Sequence, residues 1–199
     1  MGTMNKHSTG SLTDPTEVRL ILGQNLELNN GEIASMILDV DEEIKMDYGD
    51  PIDKDYFYFE TDQNTYQVGQ RNIYRFESIE CDGSDIPLGS FTLNNASGMF
   101  DVASDVATLF DGTRCEVEYV PKIYNVLAKN LTVLRLLEVH TTWVGDRVQD
   151  PRISRLRDKI DQIKSKIMSC GFDVMRSSQW ETWDKRKGDY VYQDTNNTF

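Results

Sequence analysis

The chain has 199 residues, a formal net charge of −12, 39% hydrophobic residues and a mean hydropathy of −0.51. That length suits one domain with an insertion, or two small domains. The acidic balance argues against tight binding to nucleic acid or an anionic membrane, whose phosphates it repels, and no apolar run approaches the roughly 20 residues of a membrane span.

The opening "MGTMNKHSTGS" has no apolar stretch of the kind that directs secretion, so residues 1–12 read as a flexible polar arm on a chain made inside the cell. In "TDPTEVRLILG", Asp14 stands as N-cap and Pro15 takes the first helical position. Glu17 takes the third, from which it can reach back toward the cap. Val18, Ile21 and Leu22 make one apolar face, and Gly23 supplies the stop. A second helix is expected after Asn29 or Asn30. There Ile33, Met36, Ile37, Val40 and Ile44 recur at helical spacing until "YGDP" at 48–51. Both helices are short and must pack on something else to be stable.

From Tyr56 the period changes. "YFYFE", "TYQVGQRNIYRFESIECDG", "IPLGSFTLNN", "GMFDV" and "TRCEVEYV" are short β-prone runs, punctuated by Asp82-Gly83, Gly89, Asn94-Asn95, Gly98 and Asp111-Gly112. They predict about five or six strands in a small antiparallel sheet or barrel. "PLGSFTLNNASGMFDV", at 87–102, is the clearest hairpin signal within it.

Pro121 closes the block, and "KIYNVLAKNLTVLRLLEVH" returns to a helical pattern through Ile123, Val126, Leu127, Leu131, Leu134 and Leu137. Its wide apolar face predicts a central core helix. Asp150-Pro151 repeats the cap-plus-proline device. Ile153, Leu156, Ile160, Ile163 and Ile167 then follow at spacings of 3, 4, 3 and 4, with Gly171 as the expected end. This stripe reads as packing within the molecule, with a seam against a neighbouring subunit as the alternative. Beyond it, Trp180, Trp183, Tyr190, Tyr192 and Phe199 stand among polar residues without periodicity. They read as partner-binding anchors on an extended tail, the alternative being a tail that folds back over its own helices.

The resulting fold class is α+β. A small bundle of four helices spans 13–55 and 121–171, an antiparallel β module is inserted at 56–120, and an extended C-terminal tail occupies 172–199.

Cys81, Cys115 and Cys170 are odd in number, widely spaced and outside any Cys-x-x-Cys pattern, which favours small buried thiols in a reducing compartment. The sequons at Asn95, Asn130 and Asn196 read as coincidences of composition. No phosphate-binding, dinucleotide-binding, zinc-protease or serine-nucleophile motif is present, and the histidines are His7 and His140 alone. "DVDEE" at 39–43 starts like a calcium loop, but Ile44 stands where the turn glycine belongs, so it reads as a solvated helix face. Neither catalysis nor a metal or cofactor is expected.

Charge, by contrast, is segregated. Residues 27–62 hold twelve acidic residues against Lys45 and Lys54, whereas the last helix carries Arg152, Arg155, Arg157, Lys159, Lys164 and Lys166 against Asp158 and Asp161. Opposite fields on one chain suit head-to-side contact between copies. The candidate self-association residues are Arg152, Arg155, Arg157 and Lys159, facing Asp39, Glu42 and Glu43. An intramolecular match is the alternative.

"LTDPTEVRLILG…LNNGEIASMILDVDEEI" resembles the opening of head–tail connector (adaptor) proteins of tailed viruses. "SIECDGSDIPLGSFTLNNASGMFDV…FDGTRCEVEYVPKIYNVLAKNLTVLRLLE" is similar to their strand-rich part leading into an apolar helix. The likeness covers roughly residues 12–170 and rests on pattern rather than on an invariant motif. It implies a helical body with a β insertion, assembled as a ring of about twelve copies beneath the portal protein. It also implies further neck or tail partners, a place in the virion neck after synthesis in the host cytoplasm, and no catalysis. DNA would pass through such a ring without tight binding. Other neck, tail or baseplate components, and a non-viral acidic protein-binding module, are the competing readings.

Overall fold

The computed structural model of the chain describes residues 10–23, 28–143 and 151–177. The first helix, α1 (Pro15–Leu22), starts as its capping residues dictate: the Asp14 carboxylate accepts the amides of Thr16 and Glu17 at 2.7 and 3.0 Å. Glu17 does not return to the cap. Its carboxylate accepts the Thr13 hydroxyl at 2.9 Å and the Asn125 amide at 2.7 Å, tying this helix to a distant one. Val18 and Leu22 are buried, but Ile21 lies at the edge and is 36% exposed. The second helix, α2 (Asn30–Tyr48), opens with a capping box between Asn29 and Glu32 and ends at Gly49.

Seven strands follow: β1 (Asp53–Tyr58), β2 (Thr65–Gln67), β3 (Ile73–Cys81), β4 (Ser84–Asp85), β5 (Phe91–Asn94), β6 (Met99–Val102) and β7 (Arg114–Pro121). They form two antiparallel sheets, ordered β1-β7-β3-β4 and β2-β6-β5. Asp82 and Gly83 both take positive φ, the type I′ geometry that closes β3 onto β4. The stretch 87–102 is a short 3₁₀ turn followed by the β5–β6 hairpin. A six-residue helix, α3 (Ser104–Leu109), lies between β6 and β7 and was not anticipated. Its Val106, Ala107 and Phe110 pack at helical spacing on the sheet core, but the segment is too short for periodicity to stand out.

Lys122 begins α4 (Lys122–Trp143) directly after β7, and α5 (Pro151–Ser177) completes the described chain. Gly171 does not end α5. A helix-interior glycine costs about 1 kcal/mol relative to alanine, too little alone to terminate a helix held by its packed face. Residues 172–177 therefore belong to a helix rather than to an extended tail.

Two apolar clusters organise the molecule. One gathers Val18, Ile33, Ile37, Ile44, Leu127, Leu131, Leu137 and the α5 stripe. Ile153, Leu156, Ile160, Ile163 and Ile167 are buried there, so the stripe is used within the molecule. The other cluster lies in the β region, where Phe57, Phe59, Tyr66, Phe76 and Phe91 surround Phe100 at centroid distances of 5.4–6.5 Å. Mixed α and antiparallel β structure of the α+β type is thus what the chain adopts.

Cys81 and Cys115 correct the expectation of free thiols. They face each other in the β3–β7 register with Cα atoms 4.1 Å apart, and are joined as a disulfide. Both are fully buried. A separation of 34 residues in sequence hides a pairing that only strand register creates.

Candidate self-association surface

Helix α2 turns Ile33, Ile37, Val40 and Ile44 inward, which leaves Asp39 and Glu42 exposed on the far side. Glu43 sits between the two faces and accepts the Arg135 guanidinium of α4 at 3.2 Å. Near the end of the helix, Asp47 lies 3.9 Å from Lys164 of α5.

Burial of the α5 stripe fixes where that helix points its cations. Arg152 donates to the Leu22 carbonyl at 2.9 Å, and so closes the C-terminal end of α1. Arg157 pairs with Glu138 of α4 at 2.7 Å. Arg155 and Lys159 are exposed and have no ion pair among the described residues.

The predicted set therefore divides. Glu43, Arg152 and Arg157 bind within the molecule, where exposed pairs of this kind contribute about 0–1 kcal/mol each. Asp39, Glu42, Arg155 and Lys159 remain on the surface as unlike charges on two separate helices. Trp180, Trp183, Tyr190, Tyr192 and Phe199 lie outside the described residues.

Sequence reasoning missed a set of polar side chains at the seam between the two apolar clusters. Asp41 belongs to "DVDEE" but is only 7% exposed, so this stretch is not wholly a solvated face. Its Oδ2 accepts the Leu12 amide at 3.0 Å, while Oδ1 has no hydrogen-bond partner among the described residues. Burial raises its pKa, against the opposing effects of the Leu12 amide, Lys45, Arg75 and the nearby Ser11 hydroxyl. Asn125 of α4 donates to the Leu12 carbonyl at 2.8 Å, and Arg75 of β3 donates to the carbonyls of Ser11 and Gly10 at 2.6 Å each. A cleft of about 420 Å³ adjoins Asp41, Arg75 and residues 10–12, lined also by Leu38, Glu42, Lys45 and Glu77. The signal for Asp41 was available, since position 41 falls four after Ile37 and three before Ile44, on the apolar stripe.

A second polar cluster pins the segment between β2 and β3 to β1. Asp55 accepts the Gly69 amide at 2.7 Å and the Tyr119 hydroxyl at 2.9 Å, and Asp53 accepts the Gln70 amide at 2.7 Å. Burial, then the charge of Asp55, raises the pKa of both Asp53 and Tyr119. These groups hold backbone and one another, a structural use of carboxylates. Among the described residues no three His, Cys, Asp or Glu side chains are grouped to hold a metal ion, and no helix is long and apolar enough to cross a membrane. Asn130 is 1% exposed, so its sequon is closed to glycosylation in the folded chain. No protein-family model matches the chain, and no curated protein matches it in sequence.

Proposed function

We propose that this chain is a virion structural protein, a head–tail connector that assembles as a homo-oligomeric ring beneath the portal of a tailed virus. The helices would form a four-helix bundle that packs side by side with its copies, and the β module would project toward a neighbouring neck or tail component. The observation that supports self-association is the pair of opposed surface charges left after internal pairing, Arg155 and Lys159 on α5 against Asp39 and Glu42 on α2. Unlike patches on separate elements favour heterologous contacts, which close into rings when the rotation between copies allows. The family resemblance supplies the virion and the portal, and the net charge of −12 suits a passage that lets DNA through without gripping it.

Native mass measurement and negative-stain imaging of the full chain test the proposal. Wild-type protein should form closed rings. Arg155→Glu with Lys159→Glu should weaken assembly at least about tenfold, and Asp39→Lys with Glu42→Lys should restore it in the same chain. A wild-type chain that stays monomeric at high concentration would exclude the ring.

A second reading, a partner-binding module that does not assemble, is favoured by the outer face of β1, where Tyr56 and Tyr58 are 50% and 52% exposed. Aromatic side chains held on a sheet suit protein recognition.

A further inference from the structure

We infer that residues 10–13 are a latch that locks the β region to the helices, with Arg75 as its catch. The segment makes no helix or strand of its own, yet Leu12 and Thr13 are 3% and 2% exposed. Side chains distant in sequence hold its main chain. Asp41 of α2 takes the Leu12 N–H, Asn125 of α4 gives to the Leu12 carbonyl, and Arg75 of β3 grips the two preceding carbonyls. One four-residue segment is thus bonded to two helices and a strand.

The strand is shaped for the purpose. β3 departs from regular register between Ile73 and Arg75 and again between Phe76 and Ser78. Such bulges re-aim side chains. Here Ile73 and Phe76 enter the aromatic cluster, Tyr74 packs against the helical cluster, and Arg75 reaches the segment with its Nε braced on Glu77 at 2.5 Å. Gly10 completes the fit. A Cβ there would stand 2.6 Å from the Arg75 guanidinium, so only glycine lets the fork approach both carbonyls. Elsewhere the seam is spanned by the α2–β1 and β7–α4 chain connections, by Ile52, Tyr74 and Val120 against the helical cluster, and by the Lys122 amide, which donates to the Asn72 carbonyl at 2.9 Å. With the latch closed, the two clusters are held as one body. With it open, they hinge locally at these two chain connections while each stays folded.

Amide hydrogen exchange on the full-length protein tests this. Gly10→Ala is a mild probe, because the clashing guanidinium ends a flexible side chain and can move off its carbonyls without unfolding either cluster. Gly89→Ala is the control, since its Cβ would meet nothing within 4 Å. Gly10→Ala and Arg75→Met should each speed exchange of the Leu12 and Lys122 amides about tenfold or more. The Phe100 amide inside the β cluster should keep its rate, and Gly89→Ala should match wild type. If Leu12 alone speeds up while Lys122 is unchanged, the segment is a passive cover and the latch is wrong. Equal effects from Gly89→Ala would overturn it as well, and should Arg75→Met fail to fold, Gly10→Ala decides alone.

Discussion

A carboxylate on the buried stripe of a helix must find a donor or give up its charge more readily than it would in water. Asp41 does some of each. It accepts the Leu12 N–H, and its folded pKa is raised because burial disfavours the anion. The folded chain therefore holds the Asp41 proton more tightly than the unfolded chain does. The stability this provides is full below the usual carboxylate pKa and is lost as pH rises through the folded value. Asp41→Asn keeps an oxygen for the Leu12 amide and removes the charge, so at pH 7 it should be neutral or stabilising. Wild type should gain on the variant as pH falls toward 4. Urea unfolding at several pH values reads the difference directly, and a difference that is flat with pH would refute this account of the side chain. Asp41→Leu removes the acceptor as well as the charge, so it should cost about 1–3 kcal/mol at low pH and less at pH 7, where the buried anion already weakens the wild type.

Among the elements, the β hairpins owe their order to aromatic packing more than to strand length. β2, β5 and β6 have three or four residues each, short for strands that must hold together in water. Phe100 compensates by packing edge-on or stacked against rings from β1, β2, β3 and β5. Phe100→Ala should therefore lower unfolding free energy by about 3–5 kcal/mol. Chemical denaturation measures this, and a loss below about 1 kcal/mol would show that the cluster does not depend on this ring. Helix α5 offers a contrast. Its exposed residues are mostly polar or charged, so the buried stripe on α4 holds it, and a single glycine at 171 does not break it.

At the level of the molecule, the extent of α5 changes where the C-terminal tail can be separated from the body. A cut after Gly171 would remove the last turns of a helix, whereas a cut after Ser177 leaves every described element whole. The chain ending at Ser177 should keep its helix content and melting temperature within about 2 °C, because no described packing is lost. If the five tail aromatics are the anchors to the portal, it should also lose portal binding. Circular dichroism and a pull-down with purified portal check the two halves separately. Retained binding at full affinity would move the anchor to the loops around Gly89 and Asn95.

What the sequence by itself determined is local. Asp14-Pro15 and Asn29 through Glu32 mark helix starts because capping is settled within one turn, and the spacing of Ile153 to Ile167 places one helix face toward a core. Asp82-Gly83 marks its hairpin because two adjacent positive φ values need such residues. The tertiary structure alone decided the rest, which depends on contacts between residues far apart in the chain. Strand register set Cys81 opposite Cys115, and two bulges divided β3 between the aromatic and helical clusters. Packing assigned Glu43, Arg152 and Arg157 to partners inside the molecule while leaving Arg155 and Lys159 outside. Charge composition is a property of the sequence, but which charges remain available to a partner follows from which helices touch.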